Sequence, residues 1–149
     1  DVRVVLSRLP FELWDRLRAV HFNDQSRART LGYVTQGHRD IALCALPPRM
    51  SLRPLRGRTP EEFGAQRGQK WPALAMRRLM LYEVFLHELG HLQVVNESGK
   101  SERLKFAREK LAIDFARQWR RRLWSTTFVH ADPVHNAPTA QEFTTIETL

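Results

Sequence analysis

The stretch Leu79-Met80-Leu81-Tyr82-Glu83-Val84-Phe85-Leu86-His87-Glu88-Leu89-Gly90-His91-Leu92-Gln93-Val94-Val95 is apolar on almost every side. Outside Tyr82, Glu83, Gln93 and the trio His87, Glu88 and His91, each position is apolar or glycine. A helix of that character belongs inside a core, so it sets the centre of the fold. Pro72 suits its first turn and Asn96 to Gly99 stop it, which predicts a helix from Ala73 to about Val95. Two imidazoles and a carboxylate are costly to bury there unless something binds them. Residues four apart lie one above the other on a helix, so His87 and His91 can aim at one metal ion. Glu88, about 100° round from His87, can reach a water beside it. This is an H-E-x-x-H pattern, in which two ligands and a general base come from one turn.

A catalytic zinc usually takes a third protein ligand and leaves its fourth place to water. The next helix, predicted from Ser101 to about Trp124, is placed to supply it. Leu104, Ala107, Leu111, Ala112, Phe115, Trp119 and Leu123 mark its apolar face, with Lys105, Arg108, Arg117, Arg120 and Arg121 mostly turned from it. Its acids are Glu102, Glu109 and Asp114. Glu102 sits at the helix start, where a cap or surface role is natural, and Glu109 lies mid-helix beside the apolar face, which favours Glu109. Asp114 is the rival, about 140° further round, so the two cannot both face one ion.

Working back to the N-terminus, Val2, Val4 and Leu6 alternate with Arg3 and Ser7, which predicts a short strand before Pro10. Leu13, Trp14, Leu17, Val20 and His21 then recur at helical spacing until Asn23 and Asp24. Thr30 to Thr35 and Ile41 to Leu46 flank a connection containing Gly37 and predict a β-hairpin. Residues 47–71, with prolines at 47, 48, 54 and 60, read as a surface loop, apart from a short helix start at Thr59-Pro60-Glu61-Glu62. The expected architecture is α+β: a small mixed or antiparallel sheet packed on helices. The expected domain runs over 1–124, with a tail over 125–149 that packs on it or trails from it.

The segment from Phe85 to Leu92, followed by Glu109-x-x-Ala112-x-x-Phe115-Ala116, resembles the zincin metallopeptidases of the gluzincin group, and among them minimal ones such as the ImmA/IrrE family. The resemblance spans about residues 72–122. It implies a zincin-like domain acting as a zinc-dependent peptidase: one Zn²⁺ held by His87, His91 and Glu109, and a metal-activated water deprotonated by Glu88 as general base. It also implies that an edge strand borders the cleft and pairs with an extended peptide substrate, which makes the 30–46 hairpin the candidate platform. Family members tend to place Asp or Asn four residues after the third ligand, where this chain has Ile113, so Asp114 or Glu83 is the candidate to orient a histidine. Gly90 would let the ligand helices approach closely. Candidate donors to a developing oxyanion are Tyr33, Tyr82, His38, His130, His135 and the arginines, with Tyr82 read as core packing. The tail histidines His130 and His135 could cover the cleft or supply a ligand, against a plainer reading as exposed side chains. The alternative function is a non-catalytic zincin scaffold that binds or regulates.

Composition sets the boundaries. At 149 residues, 42% hydrophobic and 27% charged, the chain has the make-up of one folded domain. One cysteine, Cys44, excludes a disulfide framework or a Cys-rich zinc ribbon and fits a reducing compartment, so a cytoplasmic location is expected. No apolar run is long enough for a membrane helix. The net charge of +8 suggests encounters with anionic partners. Arg120-Arg121-Arg122 and the arginines between 49 and 58 raise nucleic acid as a partner, although a peptide or protein substrate is the favoured one. The sequence sets no oligomeric state.

Overall fold

The computed structural model describes residues 1–24, 30–35, 37, 39–46, 58–65, 71–94 and 101–139. Its centre is the expected apolar helix, continuous but not uniform. An α-helix, α2 (Ala73–Leu79), runs into a π-helical turn, Met80–Phe85, and then into α3 (Leu86–Gln93). Every residue from 81 to 90 is buried. The stop expected at Asn96 to Gly99 lies outside the described residues, as does most of the 47–71 loop.

On one side of this helix lies a three-stranded mixed sheet in the order β1-β3-β2. Strand β1 (Ala19–Asn23) runs parallel to β3 (Asp40–Cys44), with Ala19 opposite Asp40 and Asn23 opposite Cys44. Strand β2 (Gly32–Val34) pairs antiparallel with β3, Gly32 opposite Leu43 and Val34 opposite Ile41. The hairpin expected over 30–46 is therefore present, and Gly37 in its connection has a φ of 97°, which glycine adopts without a Cβ clash. Ile41 and Leu43 pack into the core with Val84, Phe85 and Leu89.

The N-terminus differs from the sequence reading in both its elements. Val2 to Leu6 is not a strand: Val2–Ser7 is a helix, α1. Val2 and Val5, at helical spacing, are its buried residues, Leu9 just beyond it is buried too, and this packing overrides the local β preference of the valines. The helix expected around Leu13 to His21 is only a 3-10 turn at Phe11–Leu13 followed by β1. Pairing with β3, distant in sequence, decides that segment. The turn at Pro60–Phe63 begins as expected, with a capping box in which the Thr59 N–H donates to Glu62 Oε1 at 3.2 Å.

Helix α4 (Glu102–Trp124) packs against α3, with Ser101 accepting from the Leu104 N–H at its start. Its buried residues are Ala112, Ala116, Arg120 and Leu123. Two corrections follow. Leu111, expected inside, is 52% exposed, and Ala107 is exposed too. Arg120, expected outside, is buried: its guanidinium meets the Glu83 carboxylate and lies 4.8 Å from the centre of the Phe63 ring. Arg58 reaches the other oxygen of Glu83 at 3.0 Å. Burial lowers the Arg120 pKa from its usual range, and Glu83 opposes that shift. This charge cluster ties α4 and the Pro60–Phe63 turn to the central helix.

The tail folds back as far as residue 139, the last described. Asp132 caps a 3-10 turn, Pro133–His135, and takes Arg77 Nη2 at 2.5 Å. Arg78 donates to the Pro133 carbonyl at 3.2 Å and Arg8 to the His135 carbonyl at 3.1 Å. Among the described residues no helix is long and apolar enough to cross a membrane.

Candidate metal centre

Helix α3 presents His87 and His91 one turn apart, and α4 brings Glu109 across to them. His91 Nε2 lies 3.1 Å from His87 Nε2. Glu109 Oε1 is 3.2 Å from His87 Nε2, and its Oε2 is 3.3 Å from His91 Nε2. Four ligands at bonds of about 2.0–2.1 Å in a tetrahedron stand about 3.3 Å apart, so these donors have the spacing of one face of a zinc site. Both rings offer the same nitrogen, and the third donor is a hard carboxylate, a set suited to zinc. The donor set fits such an ion. Among the described residues this is the one group of three or more His, Cys, Asp or Glu side chains close enough to hold a metal.

Exposure is graded across the group. The side chain of His87 is 4% exposed, that of His91 28% and that of Glu109 53%. The site thus opens to solvent on the Glu109 side and is closed on the side of His87 and Glu88, both buried.

Two glycines set the approach of the surrounding elements. A Cβ on Gly90 would lie 3.0 Å from the Ala112 Cα and 3.2 Å from Phe115, so the absence of a side chain lets α3 and α4 touch backbone to backbone one turn from Glu109. A Cβ on Gly32 would lie 2.8 Å from Val84 and 3.1 Å from Glu88 Cγ. Strand β2 is an edge of the sheet and rests directly on the Glu88 side of the helix. Sequence reading missed Gly32. Its one signal was a glycine inside a strand pattern, which often marks close backbone approach.

The other candidates are placed elsewhere. Glu102 pairs with Lys105 at 2.6 Å and is 88% exposed; Asp114 pairs with Lys110 at 2.7 Å. Glu83 is held by Arg58 on one oxygen and Arg120 on the other. Tyr33 alternates with Gly32 and faces the other side of the sheet, away from Glu88. Tyr82 is fully buried, and its hydroxyl lies 3.1 Å from His135 Nδ1. Burial raises its pKa. His135 is 1% exposed, not a free tail side chain, and His130 stacks on Phe128 and lies against His135. Neither tail histidine joins the metal group. His38 lies outside the described residues, as do the arginines at 49, 53 and 56. No known protein family, curated protein or solved structure matches this chain.

Proposed function

We propose that the protein is a zinc-dependent peptidase. The observation that carries this reading is the convergence of His87 Nε2, His91 Nε2 and the Glu109 carboxylate at mutual distances of 3.1–3.3 Å, with Glu88 next in sequence to the most buried ligand. His87, His91 and Glu109 would hold the ion. When bound, zinc supplies Lewis-acid polarisation of a carbonyl and a water acidic enough to deprotonate near neutral pH. Glu88 would be the base that accepts a proton on its carboxylate and passes it to the leaving amine. Strand β2, the last in the strand order of the described sheet and resting on Glu88, is the strand along which an extended peptide can add. This orients the scissile bond without selecting a sequence.

The half-exposed Glu109 favours catalysis over a purely structural metal, since structural zinc sites are closed by four protein ligands. The test is zinc stoichiometry together with hydrolysis of an unstructured protein such as casein. One zinc per chain is expected, with Glu88→Gln keeping the zinc and losing at least about a hundredfold in rate. Wild-type hydrolysis at the Glu88→Gln rate would leave a binding scaffold as the better reading.

A further inference from the structure

The solvent face of α4 carries a feature that peptide hydrolysis does not use. The run Arg120-Arg121-Arg122 does not form it: Arg120 is buried on Glu83, and Arg122 lies 4.9 Å over the Trp119 ring. The exposed cations fall along a different line. Arg103, Lys110, Arg117 and Arg121, of which Arg117 is half-buried and the other three exposed, are spaced seven, seven and four residues apart, which keeps them within about 40° of one another around the helix, opposite the buried Ala112, Ala116 and Leu123. They span about 27 Å of helix axis. Lys110 pairs with Asp114, whose charge Arg117 also feels, whereas Arg103 and Arg121 form no ion pair among the described residues. Helix α4 holds eight basic and three acidic residues, much of the excess positive charge of the chain.

Phe106 flanks this line, three residues after Arg103 and four before Lys110, and is 75% exposed. A large aromatic ring standing in water among cations has the form of a stacking platform beside a phosphate track. A lipid surface would require a continuous apolar face, whereas the exposed Phe106 and Leu111 of α4 stand on either side of the cationic line.

The geometry points to α4 as a binding face for single-stranded nucleic acid: Arg103, Lys110, Arg117 and Arg121 on successive phosphates and Phe106 against a base. Recognition is of backbone and base plane, without sequence preference. The inference is independent of zinc and of peptidase activity.

The test is fluorescence anisotropy of a labelled 20-nucleotide oligo-dT between 20 and 200 mM KCl. Four phosphate contacts predict a slope of log K against log salt of about −3. The triple variant R103Q/R117Q/R121Q should flatten it to about −1, and the lysine triple R103K/R117K/R121K should keep it. Phe106→Ala should weaken binding roughly tenfold with the slope unchanged, because stacking releases no counterions. Arg103, Phe106 and Arg121 are exposed and Arg117 is half-buried, and circular dichroism checks that each variant is folded. Undetectable binding by the wild type at 20 mM KCl, or an unchanged slope in the glutamine triple, overturns the proposal. So does equal competition by duplex DNA with no effect of Phe106→Ala, or stronger binding to phosphatidylserine vesicles than to the oligonucleotide.

Discussion

His91 is the ligand on which the proposed zinc site can be tested most directly. Its side chain is 28% exposed, the ring packs edge-on against His87, and its Nε2 faces Glu109. His91→Ala is expected to weaken zinc binding by more than the roughly 10–100-fold loss typical of an outer-sphere partner, while the fold persists. Competition with a chromophoric chelator reads this; an affinity within tenfold of wild type would remove His91 from the ligand set. Gly90 makes a second case, because its missing side chain sets the distance across which Glu109 must reach. Gly90→Ala gains about 1 kcal/mol of helix propensity, and overpacking against the Ala112 backbone costs about 1–3 kcal/mol. With α4 anchored by Leu123 and Arg120, the expected net is a loss of about 1 kcal/mol, accompanied by weaker zinc binding. A more stable variant with unchanged zinc affinity would show that α4 yields freely.

Among the elements, the central helix is held by charge as well as by apolar burial. Glu83, one turn before His87, carries Arg58 on one oxygen and Arg120 on the other. Removing one member of a buried ionic group leaves its partner uncompensated, typically at about 3–5 kcal/mol. Because Arg58 remains on Glu83, Arg120→Ala is expected near the low end, about 3 kcal/mol, in urea denaturation. A loss under about 1 kcal/mol would mean that water replaces the arginine. This cluster also shows what was legible beforehand. The two long helices, the H-E-x-x-H turn and the choice of Glu109 over its rivals as the acid that meets both histidines could be read from spacing, because helical periodicity is a local property. Arg120 could not, since a basic residue reads as surface until its carboxylate partner, 37 residues away, is known. The same limit explains α1 and β1. Val2 to Leu6 has a strand-like alternation, and Leu13 to His21 a helix-like one. Each is overruled by packing with a distant segment: Val5 in the core and β1 along β3. The π-turn at Met80–Phe85 has no sequence mark at all, and Gly32 only a faint one.

At the scale of the whole molecule, the segment around α1, the 132–135 turn and the central helix meet in one polar joint. Arg77 on α2 holds both Asp1 and Asp132, Arg8 on α1 reaches the tail backbone, and Tyr82 meets His135. Acid should open this joint in two stages. His135 is held near pH 4, chiefly by burial and then by the neighbouring His130, against an ordinary value of 6.5. Between about pH 6.5 and 4 the unfolded chain therefore binds a proton that the folded ring refuses. Stability falls as pH falls through that window and is fully present above it. The whole shift would be worth roughly 3 kcal/mol; with partial solvent screening the expected loss is about 1–2 kcal/mol. The second stage belongs to Asp132, held at about 2 chiefly by a hydrogen bond from Arg77; Asp40, away from the joint in β3, is held at about 2 in the same way by Arg18. Their contribution is present above the ordinary carboxylate range and is lost as pH falls from about 4 to 2. Urea unfolding at half-unit intervals from pH 7.5 to 4.5, in chelator so that the ligand histidines report no metal release, isolates the first stage. His135→Gln keeps an acceptor for the Tyr82 hydroxyl and removes the titration, so it should flatten the stability profile between pH 6.5 and 4.5. If the variant keeps the wild-type slope, the proton is taken up by another group and the joint is not what acid opens first.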